Sequence, residues 1–205
     1  MEKSQKIDND VLLKAALELM QQNEKPLTKQ PSKGRAMLYK MPNGETVRAR
    51  TCNDHVLIAV AESTSENAKL NIEGTHWLLI VMPEVERTNG NIIGYLIPTD
   101  KAVDEVRQTH QDWLATNPNT KGGNTTWNIW FKSDGPDKAN NYANKWKEYR
   151  LEGKVSSLDY INNQNPQSHA GQPGKIKAEV EAARLRIAQV AGVSPEAVKI
   201  SIDFS

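Results

Sequence analysis

HWLLIVM, residues His76–Met82, is the stretch on which the fold turns. After His76 every side chain is apolar, so the run lacks the in-out alternation of a strand with one wet face. Such a run suits a strand covered on both sides, as in the middle of an α/β sandwich. HVLIAVA (His55–Ala61) and NIIGYLI (Asn91–Ile97) have the same character. Val56–Ala61, Leu78–Met82 and Ile92–Ile97 are therefore expected as neighbouring central strands. The expected fold is an α/β three-layer sandwich with a central mixed β-sheet flanked by helices.

The covering helices flank these runs. From Asp8 to Gln22, apolar residues Leu12, Ala15, Ala16, Leu19 and Met20 recur at helical spacing, with Asn9 or Asp10 available as a cap. Thr99-Asp100 opens a second helix, expected to cover the sheet over Asp100–Leu114, with Val103, Val106, His110 and Trp113 along one stripe. Between the first helix and the apolar runs, NEKPLTKQPSKG breaks periodicity with two prolines and a glycine. MLYKMPNGETVRART (Met37–Thr51) then reads as a hairpin, because Asn43-Gly44 supplies the positive-φ residues of a tight turn. Further on, TTWNIWF (Thr125–Phe131) is strand-like. Ala139, Tyr142, Ala143 and Trp146 mark a third helix.

NNQNPQSHAGQPG (Asn162–Gly174) is polar and aperiodic, and it reads as a linker. It divides residues 1–161, the main α/β domain, from a small helix–strand tail at residues 175–205. In the tail, Ile176, Val180, Ala183, Ile187 and Val190 make one apolar helix face, and Gly192 ends the helix. Ser194-Pro195-Glu196 has the form of a cap followed by proline at the first helical position. Ile200, Ile202 and Phe204 alternate as a strand. Chains below about 40 residues usually need a metal, a disulfide or a partner to hold a core. The tail is thus expected to bind a protein partner or to self-associate through residues 175–204.

The 205 residues are 38% hydrophobic and 25% charged, with net charge +1, so no large field of either sign attracts bulk polyanions. Cys52 is the one cysteine, which excludes an intramolecular disulfide and a cysteine-built zinc site. MEKSQKIDND lacks the apolar core of a signal peptide, and no apolar stretch is long enough to span a bilayer. The expectation is a cytoplasmic protein without a membrane segment and without a cofactor.

Arg48 and Arg50 stand two apart on the second hairpin strand and so share a face. Their guanidiniums, about 7 Å apart, could clamp phosphates or a carboxylate with fork-shaped donors. The same alternation also describes an ordinary solvated strand face. Trp127, with Lys121 and Lys132 nearby, could stack unpaired bases beside a backbone-tracking charge, or it could be core. Asp54, His55, Glu73 and His76 offer oxygen and imidazole groups for an unrecognised enzyme site, but at no metal-ligand spacing. His110 lies on an apolar stripe and reads as a core histidine. There is no Gly-x-Ser-x-Gly elbow and no phosphate-binding Walker loop.

GETVRART and GYLIPTDKAV, with WNIWF before ANKWKEYR, resemble the core of restriction-endonuclease-like PD-(D/E)XK domains over roughly residues 7–152. The resemblance implies a carboxylate on the first hairpin strand, and a Glu or Gln two residues before a lysine on the second. Together these hold a divalent cation and activate water. Here the corresponding places fall near Met37 or Leu38, at Arg48 and at Arg50. Arginine is always protonated and has no lone pair for a metal or a proton. The expectation is a non-catalytic, nuclease-like protein that binds nucleic-acid backbone or a protein partner through Arg48, Arg50, Lys121, Lys132 and Trp127. The alternatives are a scaffold acting through the tail and an enzyme using the Asp54–His76 set.

Overall fold

The structure is a computed structural model. It describes residues 6–32, 37–63, 67–117, 126–132, 141–164, 180, 184, 187–188 and 193–200. The chain divides into two compact units, Met1–Ile161 and Asn162–Ser205.

In the first unit, helix α1 (Asn9–Gln22) precedes strands β1 (Thr28–Lys29), β2 (Met37–Lys40), β3 (Thr46–Thr51), β4 (Val56–Val60), β5 (Trp77–Pro83) and β6 (Ile92–Pro98). Then come helix α2 (Thr99–Thr116), strand β7 (Thr126–Trp130), the short helix α3 (Tyr142–Lys145), a 3-10 turn at Lys147–Tyr149, and helix α4 (Ser157–Gln164), whose residues from Asn162 on are counted with the second unit. The cap of α1 is Asp8, whose carboxylate accepts from Asp10 N at 2.7 Å, rather than Asn9 or Asp10. β1 lies inside the stretch read from sequence as a breaker. It pairs with β2 and so extends the hairpin.

Five strands form a mixed sheet in the order β1-β2-β3-β5-β6. β2 and β3 are the expected hairpin, with Leu38 opposite Arg48. Asn43 and Gly44 sit in its turn, and Gly44 has φ +92°. β3 and β5 run parallel, Arg48 beside Leu78 and Arg50 beside Ile80, while β5 and β6 run antiparallel. β5 is buried on both faces, as its unbroken apolar run requires.

α1 covers one face, where Leu12, Ala15, Ala16 and Leu19 meet Val47, Ala49, Leu79 and Val81. On the other face, Leu78, Ile80 and Ile97 meet Leu57 and Ala59 of β4, Ile129 of β7, Val106 of α2, and Trp146 just after α3. The result is an α/β sandwich with the sheet in the middle layer.

One of the three apolar runs departs from expectation. β4 is not a member of the main sheet but pairs with β7 in a separate two-stranded sheet. The reason is topological. Parallel neighbours such as β3 and β5 need a connection that crosses a face of the sheet, and β4 is part of that crossover. The chain turns out of β3 through Asn53, whose side-chain amide bonds both Ile7 N and Ile7 O at 2.9 Å, and through His55 at φ +50°. β4 then alternates, burying Leu57 and Ala59 while leaving Ile58 44% and Val60 39% exposed.

β6 ends the main sheet, yet its outer edge is not bare. Leu151 N donates to Gly94 O and Ile92 N to Val155 O, each at 2.9 Å, so residues 150–156 blunt an edge that would otherwise invite another strand. The absence of a side chain on Gly94 gives Leu19 and Leu151 room, since a Cβ there would lie 2.8 Å from Leu19 Cδ2 and make that side chain shift.

In the second unit, Val180, Arg184, Ile187 and Ala188 are helical, and Pro195–Ala197 is a 3-10 turn with proline at its start; Ser194 holds the cap position but makes no side-chain capping bond. Ala188 is buried, whereas Ile187 and Val193 are exposed. Asn162, Asn163 and Gln164, read from sequence as the start of the linker, belong to α4. The rest of the linker, Ile202 and Phe204 lie outside the described residues.

Candidate anion-binding site

β3 directs Val47 and Ala49 into the core beneath α1 and Thr46, Arg48 and Arg50 toward the opposite face. Second-face residues of β5 and β6 join the core there, but no residue of β2 does. The β2–β3 floor is thus only partly roofed, and Leu38, Arg48 and Arg50 are half-buried on it. The stem of Arg48 lies between Leu38 and Leu78 in the strand register. Its Nε is buried and makes no hydrogen bond. Arg50 Nη2 donates to Ile58 O of β4 at 3.2 Å.

The parity of the small sheet explains why that carbonyl is available. Phe131 N bonds His55 O, so in an antiparallel ladder residues 55, 57 and 59 point their backbone groups at β7. Those of Val56, Ile58 and Val60 turn outward. Val60 is satisfied by Asn71, through Asn71 N to Val60 O at 2.8 Å and Val60 N to Asn71 Oδ1 at 3.0 Å. Nearer the arginines, Arg50 takes the carbonyl of Ile58.

Neither Arg48 nor Arg50 belongs to any ion pair among the described residues. Burial draws the pKa of Arg50 below its ordinary value, and the charge of Arg48 pulls the same way. Cys52, the next residue along this row, is 4% exposed. Burial pushes its thiol up to about 12, against the pull of Arg50. It is an inert neighbour rather than a nucleophile. Two guanidiniums on one strand face, with no carboxylate paired to them among the described residues, form a partly desolvated positive recess, with fork-shaped donors suited to phosphate or carboxylate oxygens.

The other residues singled out from sequence are spread elsewhere. Lys121 lies outside the described residues. Lys132 Nζ is paired with Glu86 at 2.5 Å. Trp127 faces inward, packs against the second core cluster, and has one ring face covered by His110 at 4.2 Å between centroids. His110 stacks also on Trp113 at 5.9 Å, and burial lowers its pKa. Phe131, Tyr142 and Trp146 pack together in the core, Tyr142 and Trp146 edge to face at 4.5 Å. Trp130, on the opposite face of β7 from Trp127, is half-buried beside Val56.

Asp54, His55, Glu73 and His76 each have separate structural work. Asp54 binds Arg87 Nε and, at 2.9 Å, Lys6. The Arg87 hydrogen bond is the main reason its carboxyl sits below the ordinary range. His55 Nε2–H donates to Pro83 O at 2.6 Å. Glu73 accepts from Arg107 and from Leu70 N, both at 2.8 Å. His76 Nδ1 accepts from Thr46 Oγ1 at 2.8 Å and from Thr46 N at 3.1 Å, which ties the start of β3 to that of β5. Among the described residues no three His, Cys, Asp or Glu side chains are grouped to hold a metal ion. No helix among them is long and apolar enough to cross a membrane.

Sequence reasoning missed Ile58 and Trp130 as neighbours of the arginines or of the strand beside them. The uniformly apolar HVLIAVA hides which of its residues face water. No family model matches this chain, no curated protein matches it, and no solved structure matches it.

Proposed function

We propose that this protein is a non-catalytic binding module that takes the phosphates of a nucleic-acid backbone on Arg48 and Arg50. The observation carrying this reading is the pair of half-buried arginines on one strand face with no carboxylate partner among the described residues, Arg48 Nε being buried and unbonded. A buried donor left without an acceptor costs stability, and an anionic ligand supplies both acceptor oxygens and a countercharge. Contacts of this kind position a protein on a backbone without reading sequence. In the nuclease-like comparison, the places of the catalytic Glu or Gln and of the lysine fall at Arg48 and Arg50, so the resemblance supports binding and not hydrolysis.

The test is a salt series of binding constants for wild type and the Arg48→Ala/Arg50→Ala double variant. Each lost phosphate contact removes about 0.7–0.9 from the log–log salt slope, so the double variant should flatten it by somewhat under two. No binding by wild type at low salt refutes the reading. Magnesium-dependent cleavage by wild type that the double variant abolishes refutes its non-catalytic part.

A second reading rests on Ile187 and Val193, 49% and 46% exposed in the second unit. There the tail binds a protein partner or a second copy. Removing residues 162–205 should then abolish self-association or partner capture while the first unit stays folded. Unfolding of the truncated chain would make the tail structural instead.

A further inference from the structure

We infer that the arginine recess takes an extended single strand of nucleic acid, with its phosphates on Arg48 and Arg50 and its bases laid over the outer face of the β4–β7 sheet. This rests on the phosphate-binding reading above and narrows its ligand.

Depth is the first consideration. Arg48 is held between Leu38 and Leu78, and Arg50 is drawn beneath β4 by its bond to Ile58 O. A flexible strand can bend its phosphates into such a recess. A duplex is stiff over about 150 base pairs, and it presents its phosphates on a rigid cylinder that meets a broad exposed basic surface. Among the described residues Lys132 is already paired with Glu86, and Lys40 is an exposed lysine on the arginines' face of β2.

The wall of the recess is the second consideration. The outer face of the small sheet carries Val56, Ile58 and Val60 on β4 and Thr126, Asn128 and Trp130 on β7. Ile58 and Val60 are large apolar side chains left in water. Trp130 adds a half-buried ring next to Val56. Single-strand binders combine a positive track for the backbone with apolar and aromatic surface for base faces. Here the two lie on either side of one strand edge, joined by the Arg50–Ile58 bond. Asn128 adds a hydrogen-bonding group on the same face. The strand would cross the edge of β4 near Val56 and Ile58, because farther along that edge Asn71 already occupies Val60.

The experiment compares short oligothymidine and oligouridine, a duplex of equal length, and an oligoglutamate peptide, by fluorescence anisotropy on the full chain. Wild type should bind the single strands at least about tenfold more tightly than the duplex. Ile58→Glu puts a carboxylate at an exposed position beside the recess, so it leaves folding intact and should weaken single-strand binding. Trp130→Leu should weaken it on the order of tenfold, as loss of one stacked base does, and should abolish the quenching of tryptophan fluorescence by the strand. Thermal melts establish that each variant is folded, and Ile58→Glu keeps the test decisive if Trp130→Leu is not. Arginine-dependent binding of duplex as tight as of single strand overturns this inference and leaves the proposed function standing. So does single-strand binding that Ile58→Glu does not change. Binding of none of the nucleic acids overturns both, and oligoglutamate binding as tight as the single strands assigns the recess to acidic peptides instead.

Discussion

Replacing Arg48 by methionine should make the protein more stable and worse at binding anions. Methionine keeps an unbranched stem that can lie between Leu38 and Leu78, and it removes the buried Nε that bonds to nothing. An unsatisfied buried polar group costs about 1–3 kcal/mol. The lower end applies here, because the rest of the Arg48 side chain is only half-buried. A gain of about 1 kcal/mol in a chain of this size raises Tm by about 2–4 °C. Arg50→Met is the control with a different sign. It relieves desolvation but forfeits a charge-assisted bond to Ile58 O, of a kind worth about 1.5–3 kcal/mol, so it should be neutral or destabilising. Both variants should lose affinity for phosphate-bearing ligand. Saturating oligonucleotide should therefore raise the Tm of wild type by mass action and that of either variant by less. Melting curves with and without ligand measure all of this. An Arg48→Met protein that melts several degrees lower, with ligand binding intact, would show that the arginine is a structural element, and the anion reading would fall with it.

Two further outcomes follow from buried titrating groups. Cys52, with its thiol pushed up to about 12, should resist a disulfide-exchange reagent at pH 8 in the folded protein and react at once in denaturant; native-state labelling at the rate of a free peptide thiol would contradict the burial. His110 has its pKa lowered by burial, so between that value and the unfolded value of about 6.5 the unfolded chain binds more protons. Stability should then fall as pH drops below about 6.5, and His110→Phe, which keeps a ring against Trp127, should flatten that part of the profile in urea melts at graded pH.

Much of this fold is local and was legible in the order of residues. The 3.6-residue spacing of Leu12, Ala15, Ala16 and Leu19 fixes the buried face of α1, and Asn43-Gly44 fixes the β2–β3 turn. The unbroken apolar run of β5 matches a strand buried on both sides. The alternation that places Arg48 and Arg50 on one face is likewise a property of the strand alone. What lay beyond the sequence was decided by contacts between distant segments. HVLIAVA and HWLLIVM look alike, yet β5 enters the main sheet while β4 crosses above it, because a parallel β3–β5 pair requires a crossover and Asn53 anchors the exit from β3 to Ile7. For the same reason Trp127, an inviting platform in the sequence, lies under His110, and Trp130 faces outward. Asp54, His55, Glu73 and His76 could have met in one cleft as far as composition goes; their partners Arg87, Pro83, Arg107 and Thr46 hold them to separate tasks. Residue types and periods settled which side chains could be buried and which could carry charge. Only tertiary pairing settled which charges met a countercharge; among the described residues Arg48 and Arg50, on the sparsely covered half of the sheet, met none, and Arg50 holds the Ile58 carbonyl instead.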